Sequence, residues 1–350
     1  MPPRKYKMCE IIDSLDREEF LRLCDRLEEK KSTLILYHVH PDADAIGSAF
    51  ALRRLLQMTG SCAVCLCEDK IPKRLEFLVQ GEKTNEIPTE FVAERIISTD
   101  VASSSQIGGL FEKYKVDIMI DHHAKGTPFA SLNYVRPSAA AASEIIFDIS
   151  REFLRRGLID EIPEDVERLL YAGISSDTGC FRFSNVTAGT HMRAAELVKS
   201  RIDTADINHR LFEAKSVKQL EAEQAGFRRL KLHCGGRVAT VSFPYELKES
   251  LGLEGEHLET LIDVARNVEG VEVAAVIRQQ VKRLDEGDGH GCEKAYRVSM
   301  RSSCDFDVSR VCADFGGGGH VRAAGCSVRA EDIEQAEQKI VDAIIARLCE

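Results

Sequence analysis

The sequence predicts an α/β protein: a parallel sheet with flanking helices, followed by a smaller α+β domain on a mixed sheet. Three observations lead there. Between residues 33 and 155, short apolar runs alternate with stretches of helical spacing, as βαβ units require. Beyond residue 229, strand-like runs follow one another at hairpin-like spacing. The 350 residues are also enough to build two cores. The expected layout is a helical extension over 1–30, a first domain over 31–202, a charged helical linker over 203–228 and a second domain over 229–350.

Taken in order, residues 8–30 carry Ile11, Ile12, Leu15, Phe20, Leu21, Leu23 and Leu27 on one face, which suits a helix, or two short ones, packed outside the sheet. Thr33-Leu34-Ile35-Leu36-Tyr37 reads as a buried strand running into the polar turn His38-Val39-His40-Pro41-Asp42-Ala43-Asp44, and a helix follows. Cys62-Ala63-Val64-Cys65-Leu66-Cys67 is a second strand. Cys62 and Cys65 have half of a zinc spacing, but no second pair accompanies them, so they read as small buried hydrophobes. A helix over 72–79 precedes a strand over 93–100 that ends on Asp100. Another over 107–114 precedes Val116-Asp117-Ile118-Met119-Ile120, which runs straight into Asp121-His122-His123. Helices are expected over 138–155 and 163–172, the second leading to the turn Gly173-Ile174-Ser175-Ser176-Asp177-Thr178-Gly179, and over 187–199, capped by Thr187.

In the second domain, strands are expected at 230–233, 238–243, 271–277 and 295–301. A polar excursion over 282–292 forms a solvated hairpin tip. The loop Gly316-Gly317-Gly318-Gly319-His320-Val321-Arg322-Ala323-Ala324-Gly325 and a charged helix over 331–348 complete the chain.

Composition narrows the function. A net charge of −10 argues against broad coating of nucleic acid, yet leaves room for a small anion held by local arginines and metal ions. Aromatics are 6% with no tryptophan, which gives poor support for a long stacking track. No apolar run approaches a spanning helix and no signal core opens the chain, so the expected location is the cytoplasm, with no membrane contact. The twelve cysteines are dispersed and do not form a disulfide framework.

Right-handed crossovers place the ends of three strands on one sheet edge, where ligands of open α/β sheets bind. There His38, Asp42, Asp44, Asp100, His122 and Asp177 could together hold two divalent ions. Carboxylate-rich shells with an imidazole each favour Mn²⁺, with Mg²⁺, Co²⁺ or Fe²⁺ as substitutes. Helix capping is the plainer role for Asp42 or Asp44. The consecutive glycines 316–319 suit an anion nest, and the Arg322 fork suits a terminal phosphate.

The triplet Asp121-His122-His123, with His38, Asp42, Asp44, Asp100 and Asp177, resembles the DHH phosphoesterases, and the glycine-rich tail looks like the signature of their DHH-associated substrate domain. Size and arrangement are similar to the nano-RNases of that family, which also dephosphorylate 3′-phosphoadenosine 5′-phosphate (pAp). The resemblance implies that His38, Asp42 and Asp100 hold one ion and that Asp44, Asp100, His122 and Asp177 hold the other, with Asp100 as the bridge. It further implies that His123 faces the scissile phosphate, that Asp121 orients a neighbouring histidine, and that Arg301, Gly317, Gly318, Gly319, His320 and Arg322 contact substrate.

The expected activity is that of a bimetallic phosphodiesterase and phosphatase, an exonuclease of RNA or DNA oligonucleotides of two to five residues that also converts pAp to AMP. The alternative is a phosphodiesterase acting mainly on cyclic di-AMP or its linear product pApA. A non-catalytic nucleotide-binding regulator is disfavoured because every ligand position is filled. The chain is compatible with a homodimer.

Overall fold

The computed structural model describes residues 17–82, 84–279 and 294–348. The part of the N-terminal extension before residue 17 and the expected excursion over 282–292 lie outside the described residues. The chain divides into two compact units between Ala214 and Lys215.

In the first unit, α1 (Arg17–Glu28) precedes β1 (Thr33–Leu36), α2 (Ala43–Met58), β2 (Ala63–Leu66), the short α3 (Glu76–Val79) and β3 (Arg95–Thr99). A single turn, α4 (Leu110–Lys113), leads to β4 (Ile118–Asp121) and β5 (Leu132–Val135). The helices α5 (Ala142–Arg155), α6 (Glu164–Asp177), α7 (Ala188–Leu197) and α8 (Thr204–Asn208) complete the unit. The five strands form one all-parallel sheet in the order β2-β1-β3-β4-β5.

Both faces of this sheet are covered. Ile35 of β1 enters the cluster that α2 and α5 build with Phe50, Ile145 and Phe147, while Leu34 and Leu36 enter a second cluster with Ile107 and Val116. A strand buried on both faces has no polar side to show, which is why β1 reads as an unbroken apolar run. Helix α1 buries Phe20, Leu23, Cys24 and Leu27, and Phe20 meets the β5 residue Tyr134 ring to ring at 6.0 Å. Burial of each such side chain contributes roughly 1.5–3 kcal/mol.

In the second unit, α9 (Val217–Phe227) leads to β6 (Leu230–His233), β7 (Val238–Phe243), α10 (Tyr245–Ser250), α11 (Leu261–Arg266) and β8 (Val273–Gln279). Then come β9 (Lys294–Ser302), α12 (Val308–Asp314), β10 (Gly318–His320), β11 (Ala323–Ala330) and α13 (Ile333–Leu348). The sheet is mixed, in the order β10-β11-β9-β8-β7-β6, and its one parallel pairing among the described residues is β7 with β8. Val273, Ala275 and Ile277 pack towards α12 and α13, and Ala274 and Val276 pack towards α9 and α11.

Three features depart from the sequence reading. Helix α6 runs on to Asp177 instead of stopping near 172. Gly173 and Ser175 are poor helix formers, but they are buried, and the Ser175 hydroxyl donates to Asn208 Oδ1 at 2.6 Å, so packing outweighs propensity. Strands β5 and β11 were not expected, nor was the short β10 within the glycine run. Strand β5 is a half-buried edge, and β11 opens with Ala-Ala-Gly, which has low strand propensity and gains its place through pairing with β9. The stretch 203–228 is helical and is shared between the units, α8 in the first and α9 in the second.

Candidate active site

The carboxyl ends of β1, β3 and β4, neighbours in the sheet, deliver His38, Asp100 and Asp121 to one edge. The turn after β1 adds Asp42 and Asp44, and the end of α6 adds Asp177. Nearest ligand atoms fall into three overlapping groups, His38–Asp42–Asp100, Asp44–His122–Asp177 and Asp100–His122–His123, each with its atoms within 4.8 Å of one another.

Asp100 sits between the two histidines. Its Oδ2 is 3.4 Å from His38 Nε2 and its Oδ1 is 3.4 Å from His122 Nε2. His122 Nε2 is also 3.3 Å from Asp177 Oδ2. Asp100 is 2% exposed, and its φ of +56° places a non-glycine residue in left-handed backbone. Such strain collects where function over-determines a backbone. The left-handed residues Gly179, Cys180 and Phe181 follow Asp177 and turn the chain away at the end of α6.

The imidazoles are aimed by their other nitrogens. His38 Nδ1 is 2.9 Å from the Val39 carbonyl and His122 Nδ1 is 3.4 Å from the Ala139 carbonyl. A carbonyl can only accept, so Nδ1 carries the proton and Nε2 faces the carboxylates. His123 Nδ1 lies 2.7 Å from Asp121 Oδ1, and Asp121 is fully buried. His40 points elsewhere, to Asp69 at 2.9 Å, on an exposed surface.

The two aspartates of the first turn differ in support. Asp42 Oδ1 accepts from the Asp44 and Ala45 amides at 2.9 and 3.0 Å, so it caps α2 while also facing His38. Asp44 is fully buried and accepts from the Ala142 amide at 2.6 Å and the Ser143 amide at 2.9 Å, at the start of α5. Capping therefore falls to Asp42, and Asp44 is clamped by a helix about a hundred residues away.

Sequence reasoning missed these supports. The small-residue run 138–143 ahead of α5 was the available signal for the Asp44 clamp. A Cβ on Gly173 would lie 2.1 Å from Ser143 Oγ and 2.6 Å from Asp44 Oδ1, so only glycine fits beside that clamp. Asn185 Nδ2 donates to the carbonyls of Asp177 and Ala140, at 3.0 and 3.1 Å, and ties the end of α6 to the segment before α5.

The charges are strongly coupled. Burial disfavours the His38 imidazolium, but the Asp100 and Asp42 carboxylates outweigh it and push its pKa up to about 12. His122 is raised in the same way, against its burial, by Asp100 and Asp177. Burial would raise Asp100, yet the two histidines hold it below the usual carboxylate range. Burial pushes Asp177 up to about 6 and raises Asp44 as well, with Asp100 and Asp177 adding repulsion there.

The donor set fits divalent metal ions. It is all carboxylate and imidazole, which suits hard and borderline cations. Asp100 Oδ1 and His122 Nε2 are buried without a hydrogen-bond partner, and buried polar atoms are rarely left so unless something else occupies them.

In the second unit, the glycine run does two jobs. The Gly316 amide donates to the Ala313 carbonyl and the Gly317 amide to the Cys312 carbonyl, so these two close α12 and are not free to hold an anion. A Cβ on Gly317 would lie 2.2 Å from the Gly325 carbonyl oxygen, and one on Gly319 would lie 2.5 Å from that of Ala323, whereas Gly318 faces open space. Arg301 is half-buried on β9, and Arg322 is 3.3 Å from Asp305. Of His320 only the backbone is described, paired with Ala323.

Fold and site together define a class: a two-unit α/β protein with an acidic and imidazole cluster, suited to divalent ions, at the carboxyl edge of a parallel sheet. Residues 32–174 match the DHH family, N-terminal domain, and residues 236–347 match the DHHA1 domain. The chain is 31% identical to the bifunctional oligoribonuclease and PAP phosphatase NrnA of Thermus thermophilus, over 89% of this chain and 88% of that protein. It belongs to the DHH family and is a phosphoesterase of that family.

The cyclic-di-AMP phosphodiesterase PdeA of Listeria monocytogenes is 22% identical, over 93% of this chain but 49% of that protein. The crystal structure of an exopolyphosphatase-related protein from Bacteroides fragilis shares the fold with a TM-score of 0.80, over 94% of this chain and 96% of that one, at 20% identity. Among the described residues, no helix is long and apolar enough to cross a membrane.

Proposed function

We propose that the chain hydrolyses oligonucleotides of two to five residues and dephosphorylates pAp to AMP, using two divalent ions, Mn²⁺ foremost, in the cytoplasm. The supporting observation is the convergence of His38, Asp42, Asp44, Asp100, His122 and Asp177, with buried ligand atoms on Asp100 and His122 left without partners. The likeness to a bifunctional oligoribonuclease and PAP phosphatase over nearly the whole chain supports the substrate class.

In this reading His38, Asp42 and Asp100 hold one ion, and Asp44, Asp100, His122 and Asp177 hold the other. Ions held there would supply a water of near-neutral pKa and would offset phosphate charge. Asp100, which faces both histidines, would serve both ions. His123, held by Asp121 at 2.7 Å, presents Nε2 to the scissile phosphate to donate a hydrogen bond or proton. Arg301 and Arg322 pair with phosphate oxygens, His320 adds a hydrogen bond, and within the glycine run 317–319 it is Gly318, with open space beside it, that lets the backbone come close to the anion.

The deciding experiment compares rates with Mn²⁺ on an RNA dinucleotide, pApA, cyclic di-AMP, pAp and a long single strand, for the natural chain and Asp100→Ala. The dinucleotide and pAp are turned over fastest, and Asp100→Ala loses more than about 1,000-fold on both. Fastest turnover of cyclic di-AMP would move the assignment to the alternative, and equal rates for both proteins would end the metal-centre reading. Gly318→Ala, which has room for its methyl group, keeps the fold and weakens KM for pAp. Gly317→Ala instead lowers stability in urea unfolding, because its methyl group meets the β11 backbone.

A further inference from the structure

Within the second unit, a cavity of about 550 Å³ opens where α9 ends, β6 begins and α10 meets the first turn of α13. None of the proposed catalytic or phosphate-binding residues lines it. Its volume lies in the range of small-molecule sites.

Three chemistries meet in its lining. Arg228 and Arg229 both line it, and neither guanidinium has a carboxylate partner among the described residues. The neighbouring Lys231 is already committed, with its Nζ 2.6 Å from Glu337. Ser242 is 4% exposed, and its Oγ is buried without a hydrogen-bond partner. A buried hydroxyl in that state calls for a partner from outside the chain. Leu247 and Leu251 form an apolar wall, and Glu334 of α13 adds an acceptor.

We propose that this cavity binds a nucleoside monophosphate. The two guanidiniums suit the phosphate, the leucine wall suits the base, and the Ser242 hydroxyl and Glu334 carboxylate suit ribose hydroxyls and exocyclic amino groups. Inorganic phosphate would leave the wall and the carboxylate unused, and a nucleoside would leave the guanidiniums unpaired. Nucleoside monophosphates are also what the proposed hydrolysis releases. On that reading the cavity takes product, although binding itself does not require hydrolysis.

The test is calorimetric titration of the full chain, kept free of metal with a chelator, with AMP, inorganic phosphate and adenosine in separate arms. AMP binds, and the other two bind at least about tenfold more weakly. Arg228→Gln combined with Arg229→Gln removes one AMP equivalent per chain or lowers its affinity by about tenfold for each guanidinium lost. Ser242→Ala weakens AMP binding while the far-ultraviolet circular dichroism stays unchanged. Hydrolysis of a dinucleotide without added AMP is the same in the double variant as in the natural chain. Unchanged AMP affinity and stoichiometry in both variants would overturn the proposal, as would phosphate binding as tightly as AMP. If AMP binds through the arginines but no substrate is hydrolysed with any metal, the functional reading fails and this one stands.

Discussion

The two aspartates that open α2 are two positions apart and live in different worlds. Asp42 has a side chain 45% exposed and gets its hydrogen bonds from the amides two and three positions on. Asp44 is fully buried and gets its hydrogen bonds from the start of α5. The halves of the cluster follow suit: the His38–Asp42 pair is local and partly solvated, while Asp44, His122 and Asp177 come from three separate elements and lean on a fourth, α5. Pre-organisation is therefore greater on the buried side, where few groups have to move to accept an ion. On the proposed function, the buried side is the tighter ion site.

The largest expected effect tests that ranking directly. Asp44→Ala lowers Mn²⁺ affinity at the tighter site by more than about 100-fold, and Asp42→Ala lowers the weaker site by about tenfold. Titration calorimetry with Mn²⁺ resolves the two, and equal losses would dissolve the distinction. A smaller effect is expected from Gly173→Ala. Alanine is the better helix former, so α6 persists, but its methyl group displaces Ser143 and Asp44 and costs about tenfold in ion affinity on the buried side only. A loss on both sides would mean that α6 moves as a whole. The smallest effect is that of Asp42→Ala on the metal-free protein. Loss of the α2 cap lowers unfolding free energy by about 1 kcal/mol in urea, and no change would mean that solvent replaces the cap fully.

The second unit teaches a related lesson. From the sequence, the four consecutive glycines look like one device for an anion. In the fold they divide, because the amides of Gly316 and Gly317 close α12, Gly317 and Gly319 make room for β11, and Gly318 faces open space with neither task. Chain conformation and close packing ask for glycine as strongly as a ligand does, and only the pairing partner reveals which demand applies.

Much was legible beforehand because it is local. An unbroken apolar run marks a strand covered on both faces, and a polar turn straight after it must lie at the carboxyl edge of a parallel sheet. That is why His38, Asp42, Asp44, Asp100 and Asp121-His122-His123 could be grouped from spacing, and why a helix cap could be expected at Asp42 or Asp44. What local pattern does not carry is set by contacts distant in sequence. Strand β11 exists because β9 pairs with it. Asp177 ends a helix instead of sitting in a turn, because Gly173 and Ser175 are held against neighbouring elements. The clamp on Asp44 comes from amides 98 and 99 residues further along. The sequence by itself determined which side chains reach the sheet edge. Tertiary structure decided which of them are buried, clamped and left with unsatisfied ligand atoms, because burial and hydrogen-bond supply belong to the neighbours a residue acquires on folding.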